Sequence, residues 1–79
     1  MDNSLSIHYD PVSDSLYLDR RPPYAEQDSD LLDDDTLARF NPQTGDVETL
    51  ELLHFRRRLA DERGVRLPIA ASFQPITLE

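Results

Sequence analysis

One turn is written twice in this chain. Tyr9-Asp10-Pro11-Val12-Ser13-Asp14 separates Leu5-Ser6-Ile7-His8 from Ser15-Leu16-Tyr17-Leu18. Phe40-Asn41-Pro42-Gln43-Thr44-Gly45-Asp46 separates Thr36-Leu37-Ala38-Arg39 from Val47-Glu48-Thr49-Leu50. Each copy runs aromatic, Asx, Pro, any residue, Ser or Thr, then Asp, with Gly45 added in the second. Asx at the first turn position bonds the backbone ahead of it, and Pro at the second presets φ. Gly45 can take the left-handed conformation of a bulged hairpin. Two antiparallel hairpins are therefore predicted, with Pro11 and Pro42 each at the second position of its turn.

The flanking residues fit strands. Leu5, Ile7 and Tyr9 alternate with Ser6, His8 and Asp10, and Leu16 and Leu18 alternate with Tyr17 and Asp19, the period of a strand with one buried face. Pro22-Pro23 ends the second strand, because proline cannot donate to a ladder. Tyr24 to Asp30 fits a third, edge strand, and Asp28-Ser29-Asp30-Leu31-Leu32-Asp33-Asp34-Asp35, the acidic peak, reads as a loop or strand end. Thr36 to Phe40 and Val47 to Leu53 read as the fourth and fifth strands, with a bulge at Gly45 turning Val47 toward the apolar face. Leu52, Phe55 and Leu59 then lie on one helical face. The spacing predicts a helix over about 53–63, closed by Gly64 and docked on the sheet because it is short. Residues 65–79 read as an extended tail, in which Ile69 to Phe73 fit either a last strand or an ordered tail. The expected fold is one α+β domain over residues 1–79: a small antiparallel β-meander of four to five strands with one helix packed on it. Its hairpin core spans about residues 5–55.

Charge narrows the function classes. The net charge is −8, unevenly distributed: 13 acids against three Arg up to Leu53, and three acids against five Arg beyond it. A body this acidic repels phosphate polymers, so general nucleic-acid binding is disfavoured, whereas a basic protein partner suits it. The chain has no Cys, which excludes disulfides, thiol catalysis and Cys-based zinc sites. It has no apolar run near the ~20 residues that span a bilayer, and no signal-peptide pattern at Met1-Asp2-Asn3-Ser4. The expected location is cytoplasmic. A chain of 79 residues buries only ~60% of its unfolded surface, which favours a homo-oligomer with Ile69 to Phe73 as the contributing segment.

Ile7 to Leu18, with its Tyr9-Asp10-Pro11 turn followed by Asp14-Ser15-Leu16-Tyr17, resembles a family of small bacterial proteins known as domain of unknown function 2283. Members open with an aromatic-Asp-Pro turn and Asp-x-Leu-Tyr, and close with a Gly turn and a Val-x-Gly-Ile-Glu-Ile-Leu strand. The closing match here is Gly45-Asp46-Val47-Glu48-Thr49-Leu50-Glu51-Leu52-Leu53. The likeness covers about Leu5 to Phe55. Asp34-Asp35-Thr36 stands where the family carries a Gly before its fourth strand, and Thr49 replaces another usual Gly. The resemblance implies a small β-rich fold and no established activity, and it transfers no catalytic or binding residue.

Each chemically capable group has a plain structural reading. Asp28, Asp30, Asp33, Asp34 and Asp35 offer oxygen ligands, but a calcium loop begun at Asp28 puts Leu32 at position 5, Asp33 at 6 and Arg39 at 12, where acid or amide, Gly and Glu are required. The five are therefore read as a solvated loop or a docking patch for a basic partner, not a metal site. His8, on the polar face of the first strand, and His54, at the strand-to-helix junction, lack the converging partners that zinc or general-base chemistry needs. Ser13, Ser15 and Thr44 serve turns, without the base or oxyanion hole of a nucleophile. Tyr9, Tyr17, Phe40 and Phe55 read as core or sheet-face aromatics. Arg56-Arg57-Arg58 reads as pairing with the chain's own acids or a second subunit's, with an anionic ligand or RNA as the other possibility. Two glycines exclude phosphate loops and dinucleotide fingerprints.

No catalytic residue, cofactor or metal is expected. The expected function is non-enzymatic: a small acidic protein acting by protein–protein contact, in its most concrete form an antitoxin-like or accessory partner of a basic protein. The alternatives are a small-molecule or metal-dependent enzyme of unrecognised type with its site at a subunit seam, and a purely structural oligomerisation module.

Overall fold

Both repeated turns close hairpins. The structure, a computed structural model, describes residues 4–78. Met1-Asp2-Asn3, inspected above for a targeting signal, and Glu79, the end of the tail, lie outside the described residues. Strands β1 (Ser6–Asp10) and β2 (Ser15–Asp19) pair antiparallel across the first turn, and β4 (Thr36–Phe40) and β5 (Val47–Leu52) across the second. Asp10 Oδ1 accepts from Val12 N at 3.0 Å, and Asn41 Oδ1 accepts from Gln43 N at 2.8 Å. These are the Asx bonds expected ahead of each proline. The left-handed residue of the second turn is Gly45 (φ 78°), and that of the first is Asp14 (φ 56°). Asp14 thus corresponds to Gly45, not to Asp46.

The third strand is the acidic run itself. β3 spans Asp28–Asp33 and pairs antiparallel with β4 through a turn in which Asp33 Oδ1 accepts from Asp35 N at 2.8 Å. Tyr24 to Gln27 instead make a turn before it, Gln27 N donating to Tyr24 O. Aspartate is a poor strand former, but an edge strand with both faces near water tolerates it.

The sheet is not a meander. Its order is β1-β2-β5-β4-β3, all neighbours antiparallel. The last strand enters between the two earlier hairpins, so residues 20–27 must carry the chain from β2 past β5 and β4 to the far edge. The registers align side chains in rows. Ile7, Leu18, Leu50, Ala38 and Asp30 form one row, and Tyr9, Leu16, Leu52 and Thr36 another on the same face. Ala38, Leu50 and Leu52 are its buried centre, with Leu16, Leu18, Phe40 and Val47 packed around them. Val47 joins this face as expected, but the bulge responsible is one residue on, at Glu48, not at Gly45. A second bulge in β3, at Leu32, brings that side chain to the same core.

The helix is shorter than the spacing predicts. α1 is one turn, Phe55–Leu59, with none of its residues buried, and Leu59 is exposed. Leu52 belongs to β5, so the supposed helical face was a strand end followed by a turn. Beyond Leu59 the chain runs in i→i−3 turns, Asp61 N to Arg58 O and Gly64 N to Asp61 O. The Asp61 carboxylate competes for local backbone by accepting from Arg63 N at 2.9 Å. Only Phe55 of the helix packs against the core. The rest of that covering comes from the tail: Val65, Leu67 and Ile69. Residues 65–78 form no strand, and Phe73, expected to work with Ile69, is 81% exposed.

Candidate functional site

Four polar groups stand out, and topology explains two of them. Glu48, on its bulge, is a buried carboxylate ringed by side chains from the crossing segment. Tyr24 Oη donates to it at 2.6 Å, Gln27 Nε2 at 3.0 Å, Arg21 Nη1 at 3.2 Å and Asn41 Nδ2 at 3.4 Å. The Arg21 guanidinium also lies 4.6 Å from the centre of the Tyr24 ring. Hydrogen bonds from Tyr24 and Gln27 hold the Glu48 carboxyl down at about 2, against an ordinary 4.5. Because the chain must cross the sheet end here, a fixed anion in the central strand pins the crossover. Its four partners make it a structural clamp.

Asp14 does comparable work at the opposite end of β2. Its Oδ1 accepts from Tyr9 Oη at 2.6 Å and from Arg56 N at 3.1 Å, while its carbonyl accepts from Phe55 N at 3.0 Å. His54, the N-cap residue, is left-handed (φ 54°) and makes no side-chain cap bond. A residue of the first hairpin therefore caps a helix 42 positions away. The Tyr9 hydrogen bond, then the Arg56 amide, keep the Asp14 carboxyl below the usual range.

The third group is the acidic run, which the fold divides. Asp28 and Asp30 alternate with Ser29 along β3, about 7 Å apart at strand rise. Both are exposed and neither forms an ion pair among the described residues. Asp33 ends β3, and Asp34 and Asp35 occupy the turn beyond it. There Asp35 Oδ1 is 4.0 Å from His54 Nε2, and its carbonyl accepts from Arg58 Nη1 at 2.9 Å. The Asp35 amide lowers the Asp33 carboxyl. The five acids thus form an edge and a turn, not one cluster. Among the described residues, no three His, Asp or Glu side chains are placed to hold a metal ion.

The fourth group is the sheet's other face. His8, Tyr17, Glu51, Leu37 and Leu31 form a cross-strand row, flanked by Ser6, Asp19, Thr49, Arg39 and Ser29. His8 stacks on Tyr17 with ring centres 4.6 Å apart, and its Nδ1 is 3.7 Å from Asp19 Oδ2. Arg39 Nη1 is 3.8 Å from Glu51 Oε1. Burial, then a hydrogen bond to Glu51, pushes the Tyr17 phenol up. Thr49 lies in β5 with 1% exposure, and its Oγ1 and Asp19 Oδ1 are buried without partners.

Ser13 and Thr44 serve their turns, Ser13 Oγ donating to Asp10 and Thr44 Oγ1 accepting from Asp46 N. Ser15 is buried at the start of β2. Of the Arg run, Arg58 is the one whose guanidinium bonds to the β3–β4 hairpin, through Asp35 O and Thr36 Oγ1. Arg56 and Arg57 form no ion pair with a described acid of the same chain, which leaves pairing with a second subunit's acids open to them. Sequence reasoning missed Glu48 and the reach of Asp14, whose partners lie too far along the chain for any local pattern to mark.

Fold and site together define a small, five-stranded antiparallel domain whose polar groups mostly serve its own architecture, with one acidic edge left open. No protein-family model, curated protein or solved structure matches the chain.

Proposed function

We propose that this is a non-enzymatic cytoplasmic protein that acts by protein–protein contact, the β3 edge receiving a basic segment of its partner in the manner of an antitoxin-like or accessory protein. The observation that carries this reading is the character of β3. It is an edge strand with one side of its backbone unpaired, and five of its six residues are exposed. Asp28 and Asp30 carry charge that no described cation neutralises. An extended peptide adding to such an edge gains main-chain hydrogen bonds, and Lys or Arg on it gains the aspartates. Membership of the family of domain of unknown function 2283 belongs to the same proposal, supported by the Tyr9-Asp10-Pro11 turn and the Gly45 to Leu53 strand. The test is capture from a bacterial lysate with wild-type chain and with Asp28→Lys/Asp30→Lys, followed by hydrogen exchange on the complex. A partner lost on charge reversal, with new protection of the β3 amides, supports the reading. Equal capture by both forms, or protection elsewhere, refutes it.

A second reading, homo-oligomerisation, rests on the opposite edge. β1 also lacks an outer neighbour, and Leu5, Ile7 (63%) and Val12 are exposed along it. Charge repels a second copy at β3, whereas β1 carries only Asp10. Light scattering with Ile7→Lys tests it: a dimer that this change dissolves supports β1 pairing, and a ~9 kDa species for the wild type excludes it.

A further inference from the structure

From the end of α1 and the turns behind it, we infer a binding site for a small dianionic oxyanion, of the phosphate or short dicarboxylate class. A cavity of about 260 Å³ is lined by Arg57, Arg58, Asp61, Gly64, Val65 and Arg66. Arg57, Arg58 and Arg66 all line it, in a chain whose acids outnumber its bases 16 to eight. Elsewhere three Arg have acid partners: Arg21 pairs with Glu48, Arg39 with Glu51 and Arg63 with Asp61. Arg57 and Arg66 pair with no described acid. Arg58 spends its Nη1 on the Asp35 carbonyl and the Thr36 hydroxyl, which fix the side chain, and its charge also favours the Asp33 carboxylate.

The one acid in the lining is already occupied. Asp61 Oδ1 accepts from Arg63 Nε at 3.1 Å and Oδ2 from Arg63 Nη2 at 3.0 Å, a two-pronged pair that neutralises it. The lining therefore keeps two guanidinium groups, those of Arg57 and Arg66, with no acid partner among the described residues. Gly64 (φ 82°) turns the chain between Asp61 and Val65, which both line the cavity. Guanidinium forks match the paired oxygens of phosphate or carboxylate, and two or more of them favour a dianion. The volume lies below the ~300 Å³ at which sites for drug-sized ligands begin, so the ligand is small. The site is separate from the β3 edge and does not depend on the partner proposed there.

The test is an amide-resolved NMR titration of the full chain with inorganic phosphate, with succinate, and with sodium chloride at matched ionic strength. Saturable shifts at Gly64, Val65 and Arg66 are expected with phosphate or succinate and not with chloride, the tighter of the two naming the class. Arg57→Gln/Arg66→Gln, both exposed positions, is expected to weaken binding by roughly ten-fold or more while leaving the remaining amide spectrum in place. Arg63→Gln frees Asp61 to compete and is expected to weaken it too. Linear shifts equal to those with chloride, or a double variant that binds like the wild type, would overturn the site.

Discussion

Leu50→Ala is the most direct probe of what holds this sheet together. Leu50 lies on the central strand, 5% exposed, with Leu18 and Ala38 as cross-strand neighbours. Truncation removes three carbons, at ~0.8 kcal/mol each about 2.4 kcal/mol of transfer free energy. A cavity term adds to this, because Ala38 on one side has no side chain long enough to fill the gap, and the total comes to about 3–4 kcal/mol. A chain of 79 residues has roughly 4–12 kcal/mol in all. The variant should therefore lose a quarter or more of its stability, and Tm should fall by roughly 12–30 °C. Urea titration followed by circular dichroism measures it, with Leu31→Ala as the comparison: Leu31 is 57% exposed, and its truncation should change stability by no more than ~0.5 kcal/mol. If Leu50→Ala cost under ~1 kcal/mol, or no more than Leu31→Ala, the row of Leu18, Leu50 and Ala38 would not be the energetic centre.

Acid should remove the contribution of Glu48. Its folded pKa of about 2 lies below its ordinary 4.5, so this stabilisation is complete above about pH 4.5 and is lost as pH falls through 2. Stability measured across that window should fall less steeply in Glu48→Gln than in the wild type. Asp14→Ala should lower Tm more than Asp14→Asn, because asparagine keeps an acceptor for Tyr9 and Arg56 and tolerates φ 56°; equal losses would deny the capping role. Gly45→Ala meets no atom within 4 Å of the new Cβ, so its cost of about 1 kcal/mol should be purely that of a left-handed backbone, read from the urea midpoint.

What was legible in the sequence was local. Asp10-Pro11 and Asn41-Pro42 announce their hairpins because the side chains that make each turn lie within a few residues of it. Strand order was not legible, since nothing in β2 marks β5 as its neighbour. The sequence overstates the helix, because Leu52, Phe55 and Leu59 satisfy a helical spacing that a strand end plus one turn satisfies equally. The run from Asp28 reads as a loop or strand end because aspartate disfavours strands, and only its place at the edge removes the objection. The candidate acids are contiguous in sequence, but their division between an edge and a turn depends on where the chain reverses. Glu48 and Asp14 gather partners from 7 to 27 and from 5 to 42 positions away, separations at which one sequence carries no pairing signal.

The insertion of β5 between β2 and β4 also sets an order of events during synthesis. The β1–β2 and β3–β4 hairpins close over short loops and are available as soon as they leave the ribosome, but neither has the other for a neighbour. An isolated two-stranded hairpin is marginal in water. Until residues 47–52 emerge, the nascent chain therefore holds two half-formed ribbons with four open edges, and nothing joins them. The final strand then makes two ladders at once, and the tail that covers the core follows it. Folding should be a single late step, slower than the closure of either hairpin, and a chain halted before Val47 should remain unfolded.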